Sequence, residues 1–355
     1  MSDTRTKSNR DSSIELYRII VMLLIVIHHY VMNSGLIDPN GPIYAAPLAP
    51  QSLYLAILGA WGKTGINCFV LITGYFMCKS DISIRKFMKL LLEIMFYRIV
   101  IYLILWITGY EKFTIESLVE FIPIRKVTTS FVSSFLVFYL SIPFLNILVH
   151  HMDEKTHRKL LGLCGFVFIF LGTMPKYFGV TMSYASWFCV LFFISSYIRL
   201  YPKKIYEKRG VWLGLTILSL TLAILSVVAC AWYSQKSGKD RIYLFVIDSN
   251  TFLAVFVAVS SFMLFKNIKL RYNAVINTIA SSTFGVFCIH THSAPFKRWL
   301  WEEVVDCVGH YHTTFYILGS CILIFCVCAI IDQLRIRFLE KPLFAYLDSH
   351  KVFPS

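Results

Sequence analysis

Arg18 and the adjacent pair His28 and His29 lie in one apolar stretch near the start of the chain, ELYRIIVMLLIVIHHYVM. Ionisable groups inside a membrane-spanning helix are costly and are usually functional. Because an α-helix turns 100° per residue, Arg18 and His29 share one face and lie roughly 16 Å apart along the axis. His28 points about 100° away from that face. Arginine suits phosphate recognition, and histidine suits proton transfer near neutral pH.

Structural roles for the same residues are also compatible with the sequence. Arg18 could snorkel to the membrane surface or pair with Glu15, three positions before it. His29 could hydrogen-bond a carbonyl group of a neighbouring helix. The shared face makes the pair more informative than either residue alone, but it does not identify a reaction.

Two more polar residues share a helix face in the stretch GAWGKTGINCFVLITGYFMCK. Lys63 and Asn67 are four positions apart, which places them on the same side of a helix. Lys63 could equally be an interfacial residue near the outer surface. The glycines of this stretch allow another helix or a ligand to approach closely, and helix packing is the simpler interpretation.

Three further candidates lie in later apolar segments. His290 and His292 end the stretch SSTFGVFCIHTHS and are two positions apart, so on a helix they do not converge on one metal ion. We therefore expect no metal site. Arg98 follows Glu93 by five positions, which is poor spacing for an ion pair within one helix. A partner on another helix or a role in a polar cavity fits Arg98 as well as a pair with Glu93 does.

The elements that must position these residues are membrane-spanning helices. The chain of 355 residues is 57% hydrophobic and only 15% charged, whereas soluble domains are about 25% charged. Many uncharged runs approach the length that crosses roughly 30 Å of hydrocarbon. The sequence therefore predicts an all-α, polytopic integral membrane bundle of about ten transmembrane helices. They cover residues 14–33, 54–78, 87–109, 131–150, 159–174, 183–199, 211–233, 249–265, 274–292 and 313–333.

The positive charges predict how this bundle is oriented. With the N-terminus inside, 21 of the 34 Lys and Arg residues lie in cytoplasmic segments and 9 in external ones. Such an excess is typical of cytoplasmic loops. It predicts that both termini are cytoplasmic, with a tail at 1–13, a bundle at 14–333 and a second tail at 334–355. The net charge of +14 is explained by this topology, and we expect no nucleic-acid partner.

Five stretches, in this order, resemble the acyltransferase-3 family of multi-spanning membrane acyltransferases, which modify bacterial surface glycans. The family signature is an arginine and a histidine separated by ten residues in the first helix, as Arg18 and His29 are here. The stretches are ELYRIIVMLLIVIHH, GKTGINCFVLITGYF, FLVFYLSIPFLNILV, FGVFCIHTH and IDQLRIRFLEKPLF. The resemblance covers almost the whole chain.

The resemblance implies transfer of an acyl group, usually acetyl, from cytoplasmic acyl-CoA to a sugar hydroxyl on the outer side of a bacterial inner membrane. The acceptor would be a surface or lipid-linked glycan. No permanently bound cofactor or metal is implied. The other expected contacts are membrane lipids, and the oligomeric state is not indicated.

The resemblance also assigns expected roles to the candidate residues. Arg18 would lie on the donor side, and His29 would be the general base that deprotonates the sugar hydroxyl. The remaining candidates would stabilise the oxyanion or bind donor or acceptor. These are Lys63, Asn67, His290 and Arg98.

A transporter or flippase of a small molecule or lipid-linked glycan is the alternative. It explains many helices and intramembrane charges equally well. It does not explain the Arg18–His29 signature, and we find no internal repeat of the kind from which many transporters are built.

Overall fold

The computed structural model describes residues 10–115, 119, 121–124, 126–173 and 182–353, and within them it contains helices and no β-strand. The described α-helices are α1 (Ser12–Met32), α2 (Pro42–Ala45), α3 (Pro50–Gly59), α4 (Gly62–Met77), α5 (Ile84–Ile107), α6 (Phe131–His151), α7 (Glu154–Cys164), α8 (Tyr184–Leu200), α9 (Arg209–Ser237), α10 (Phe252–Lys266), α11 (Ala274–Ser281), α12 (Thr283–His290), α13 (Ala294–Arg298), α14 (Thr314–Arg335) and α15 (Lys341–Ser349). Short π-helical stretches at Gly165–Leu171, Trp299–Val304 and Ile336–Glu340 extend α7, α13 and α14, and a 3₁₀ turn spans Lys204–Glu207.

The predicted all-α bundle is confirmed, and each of the ten predicted segments contains described helix. Two of the segments are broken. The segment 54–78 forms α3 and α4, and the segment 274–292 forms α11 and α12. The first break lies where His28 donates a hydrogen bond from Nδ1 to the Gly59 carbonyl, at 2.5 Å.

Six described helical stretches are long and apolar enough to cross a membrane, or seven if a bent pair is counted as one span. The bent pair joins residues 274–290 to residues 294–304 at 101°. Helices α8 and α10 are apolar but shorter. The chain is a multi-pass membrane protein, whereas the count of about ten spans and the cytoplasmic termini stay predictions.

Side chains at the helix starts set the register of several helices. Such N-terminal residues accept hydrogen bonds from backbone N–H groups that have no partner within the helix. The capping residues are Asp11 for α1, Ser83 for α5, Ser130 for α6, Asp153 for α7, Ser183 for α8 and Asn273 for α11. At α1, Asp11 accepts from the Ser13 N–H at 2.9 Å, which fixes where the helix that carries Arg18 and His29 begins.

Helix α1 lies at the centre of the bundle. It packs against α3, α4, α10, α11, α12 and α14. Its residues Val26, Tyr30 and Val31 are fully buried. A helix surrounded by other helices is apolar on all sides, which explains the uniformly apolar sequence around Arg18 and His29. Arg18 and His29 are therefore surrounded by other helices of the bundle.

The outer helices expose apolar side chains instead. Helix α9 exposes Ile217, Leu222 and Leu225, and α14 exposes Leu323 and Ile330. A water-soluble protein rarely exposes so many large apolar side chains on long helices. Their exposure is explained by contact with lipid.

The segment after residue 333 continues the helical bundle. A π-helical stretch joins α14 to α15, and Arg335, Glu340 and Phe344 are buried. This segment therefore packs against the bundle through Phe344. Its predicted cytoplasmic location remains a prediction, and most of the predicted N-terminal tail (residues 1–9) lies outside the described residues.

The predicted orientation is tested by single cysteines at two exposed loop positions. Lys204 lies between α8 and α9, and Lys239 lies between α9 and α10. We expect Lys204→Cys to resist a membrane-impermeant maleimide in intact cells and Lys239→Cys to react, with the native chain giving the background. Labelling of Lys204→Cys and protection of Lys239→Cys would invert the topology.

Candidate active site

The adjacent histidines of α1 make different contacts. His28 packs at the α3–α4 break, where a Cβ atom on Gly62 would lie 2.2 Å from the His28 ring. A glycine is therefore required at position 62 for this packing. His29 points to another helix, and its Nδ1 lies 2.9 Å from Nε2 of His290 on α12. The structure thus places His28 in a structural contact and His29 in a side-chain pair.

The hydrogen bonds of this pair define the tautomers of the two neutral rings. His290 Nδ1 lies 2.6 Å from the Val286 carbonyl. Because a carbonyl oxygen only accepts, His290 Nδ1 carries the proton and His290 Nε2 is an acceptor. His29 Nδ1–H must then donate to His290, which leaves the lone pair of His29 Nε2 available. His290 is fully buried, whereas His29 is partly exposed. The arrangement holds His29 as an oriented proton acceptor.

A cavity of about 800 Å³ lies at the Arg18 end of α1 and is called the Arg18 cavity below. It is bordered by α1, α4, α5, α6, α11, α12, α14 and α15. Its cationic lining residues are Arg10, Arg18, Arg85, Lys89, Arg335 and Lys341, and its carboxylates are Glu93, Glu340 and Asp348. A smaller opening of about 270 Å³ between α4, α5 and α6 also reaches Arg18.

Ion pairs neutralise part of this lining. The pairs are Arg85–Asp348 at 2.8 Å, Lys89–Glu340 at 2.6 Å and Arg335–Glu93 at 3.1 Å. Within the described residues, Arg10, Arg18 and Lys341 have no ion pair. The Nε atom of Arg18 is buried without a hydrogen-bond partner there. The alternative of an Arg18–Glu15 pair is therefore not formed, and a cationic surface remains for an anionic ligand.

A buried ionic cluster next to this cavity was not predicted. Arg335 contacts Asp332 at 2.9 Å, Glu340 at 2.9 Å and Glu93 of α5 at 3.1 Å. Tyr97 of α5 donates to Asp332 at 2.7 Å. The cluster fixes α14 against α5. The ion-pair partner of Glu93 is therefore Arg335. The signal in the sequence was Asp332, Arg335 and Glu340, three of the five charged residues in IDQLRIRFLEKPLF.

Arg98 lines a different cavity, of about 290 Å³, called the Arg98 cavity below. It lies between α5, the start of α6, the end of α12 and α13. Arg98 Nη1 donates to the Ile122 carbonyl at 3.0 Å, and the Arg98 carbonyl accepts from His292 Nε2 at 3.2 Å. Lys297 also lines this cavity. The expectation that Arg98 serves a polar cavity agrees with this placement.

Lys63 and Asn67 are both on α4, but they do not share one environment. Lys63 Nζ donates to the Tyr184 hydroxyl at 2.6 Å and is partly exposed. Asn67 is fully buried; its Nδ2 donates to the Ser249 carbonyl at 2.6 Å, and its Oδ1 accepts from Trp187 Nε1 at 2.8 Å. Asn67 therefore ties α4 to α8 and to the residues before α10.

These contacts predict that Asn67 contributes to stability. In Asn67→Leu, the Trp187 N–H and the Ser249 carbonyl would stay buried without partners, at about 1–3 kcal/mol each. We expect a lower unfolding temperature for purified protein in detergent, and no such change in the control Asn40→Leu, whose side chain is exposed. Lost activity with an unchanged unfolding temperature would instead assign Asn67 to substrate binding.

The predicted site residues thus fall into separate groups. The structure brings His29 and His290 together, and it places Arg18, Arg98 and Asn67 in three other environments. No group of three or more His, Cys, Asp or Glu side chains in the described part of the chain is placed to hold a metal ion.

Comparison with known proteins gives the family. A family model described as an acyltransferase domain, Acyl_transf_3, matches residues 11–333, which is nearly the whole chain. Neither the curated proteins nor the solved structures yield a match to this chain. The matched region contains Arg18, the histidine pair and the whole lining of the Arg98 cavity. It also contains the lining of the Arg18 cavity, apart from Arg10 and the residues beyond 333. The chain therefore belongs to the acyltransferase-3 family and is a multi-pass membrane enzyme that transfers acyl groups.

Proposed function

We propose that this enzyme moves an acyl group, in the first instance acetyl, from cytoplasmic acyl-CoA to a sugar hydroxyl on the outer side of a bacterial inner membrane. The acceptor is a surface or lipid-linked glycan. The observation that carries the proposal is the lone pair of His29 Nε2, left available by the chain of hydrogen bonds from His29 to His290 to the Val286 carbonyl. An oriented histidine base is what deprotonation of an alcohol requires.

The Arg18 cavity supports the donor side of the proposal. Acyl-CoA carries phosphate groups, and guanidinium and ammonium groups bind phosphate through charge-assisted hydrogen bonds. Arg10, Arg18 and Lys341 supply such groups without ion pairs among the described residues. Arg18 and His29 are separated by roughly 16 Å along α1. The extended thioester arm of an acyl-CoA bound at Arg18 would cover this distance to reach His29.

A chain of phenylalanine rings separates the two cavities. Phe135 and Phe284 line the Arg18 cavity, and Phe131 and Phe287 line the Arg98 cavity. The ring centres are 5.9 Å apart for Phe284–Phe135, 5.8 Å for Phe135–Phe131 and 4.8 Å for Phe131–Phe287. Phe287 also lies against His29, at 6.3 Å between ring centres. In this proposal the donor binds in the Arg18 cavity and the acceptor in the Arg98 cavity, on either side of these rings, and the contact with Phe287 puts the Arg98 cavity next to His29.

The proposed reaction is a direct acyl transfer. The sugar hydroxyl oxygen bonds to the thioester carbonyl carbon while His29 Nε2 takes the hydroxyl proton. The carbon–sulfur bond then breaks, and the departing thiolate takes the proton back from His29. His290 acts as a positioning residue, since its Nε2 keeps the protonated nitrogen of His29 turned away from the substrate.

The proposal is tested with membranes that contain the protein, labelled acetyl-CoA and a glycan extract from the host. We expect label in the glycan as an ester that mild base removes, and none with membranes lacking the protein. Movement of unmodified glycan across the membrane without incorporation of label would favour the transporter alternative and contradict the proposal.

A further inference from the structure

The described residues that line the Arg98 cavity carry positive charge and include no carboxylate. Its charged and titratable cationic side chains are Arg98, Lys297 and His292. Other residues that line it include Tyr97, Thr129 and Ser130. A cavity inside a membrane protein whose lining collects positive charge is suited to an anion.

Arg98 and Lys297 are the two lining side chains that carry a positive charge at neutral pH, and Lys297 is the more informative of them. It lies on α13, is partly buried, and forms no ion pair with any described residue. Its sequence neighbour Arg298 is exposed and does not line the cavity. A partly buried ammonium without a counter-ion is unfavourable, and an anionic ligand in the cavity would remove that penalty.

Arg98 is fixed on the facing helix. Its Nη1 donates a hydrogen bond to the Ile122 carbonyl, and both Arg98 of α5 and Lys297 of α13 line the cavity. Two cations on different helices can bind one carboxylate or phosphate from two directions, which gives orientation as well as affinity.

The cavity is separated from the histidine pair by one ring. Phe287 lines the cavity and lies 6.3 Å from the His29 ring and 5.9 Å from the His290 ring, between centres. An anionic group held in the cavity is therefore near the hydroxyl that His29 would deprotonate. The two groups would belong to the same sugar or to neighbouring sugars.

We propose that the Arg98 cavity binds an anionic group of the substrate, a carboxylate or a phosphate, with Lys297 and Arg98 as its counter-charges. The inference rests on the proposed acyl transfer and narrows its substrate class. The anion belongs to an acidic sugar of the acceptor or to the far end of a dicarboxylic acyl group, and both present the same chemistry to the two cations.

The test uses full-length protein in membranes with acetyl-CoA and two matched acceptors, a uronic-acid oligosaccharide and its carboxyl-reduced form. We expect kcat/KM to favour the acidic form by about tenfold or more. Lys297→Gln should bring the ratio of the two values close to one, mainly through KM. Lys297→Arg should keep the preference, and so should the matched control Arg298→Gln.

A second arm compares succinyl-CoA with acetyl-CoA on the reduced acceptor. A preference for succinyl-CoA that Lys297→Gln removes would support the cavity as an anion site and place the anion on the acyl group. Equal use of charged and neutral substrates in both arms, unaffected by Lys297→Gln, would overturn the inference while leaving acyl transfer intact. Absence of transfer to every acceptor would contradict the proposed function itself.

Discussion

Replacing His29 with alanine or glutamine is expected to lower acyl transfer by about 10²- to 10⁴-fold, the contribution typical of a general base. The physical reason is that His29 Nε2 is the free nitrogen of the histidine pair, while its Nδ1 is held by His290 at 2.9 Å. Glutamine keeps a polar side chain that can still contact His290 but cannot accept a proton at neutral pH. The measurement is label transfer from acyl-CoA per amount of inserted protein.

Two comparisons separate a catalytic loss from a folding defect. His150, exposed at the end of α6, provides the matched control, and His150→Ala should keep full activity. His290→Ala should cost less than His29→Ala, because it removes the partner that orients the base but not the base. Full activity in inserted His29→Gln protein would exclude the proposed mechanism.

The first helix shows how far sequence reasoning reached. The helical period alone separated His28 from His29, and the structure gives them different partners, Gly59 and His290. The period could not identify His290 as the partner, because the contact joins residues 261 positions apart and depends on which helices pack together. Local periodicity fixes faces within one helix and carries no information on the facing helix.

The same limit explains two other results. Lys63 and Asn67 share a face by spacing, yet Asn67 is held by Trp187 and Ser249, which lie far along the chain. The cluster around Arg335 was missed because the last segment was interpreted as a tail, although its charges stand in an apolar setting. The break between α3 and α4 also depends on a contact between helices, the His28 hydrogen bond to Gly59.

Arg18 is expected to act on the donor, and its substitution should raise the KM for acyl-CoA more than it lowers kcat. A hydrogen bond to a charged group contributes about 1.5–3 kcal/mol, so Arg18→Gln should raise this KM by about tenfold or more. Arg18→Lys should be intermediate, because it keeps the charge and loses the planar two-pronged donor. The matched control is Arg337→Gln, since Arg337 is exposed and lines neither cavity.

Stability distinguishes this ligand-binding role from a structural one. Arg18 has no ion pair among the described residues, so Arg18→Gln removes a partly buried charge without leaving a carboxylate unpaired. We expect its unfolding temperature in detergent to be unchanged or higher. Arg335→Gln, in contrast, leaves the buried carboxylates of Glu93 and Asp332 without an ion pair, while Glu340 keeps Lys89, and should destabilise the protein by about 3–5 kcal/mol. If Arg18→Gln lost as much stability as Arg335→Gln, with no change in the KM for acyl-CoA, Arg18 would be a structural residue and the donor would bind elsewhere.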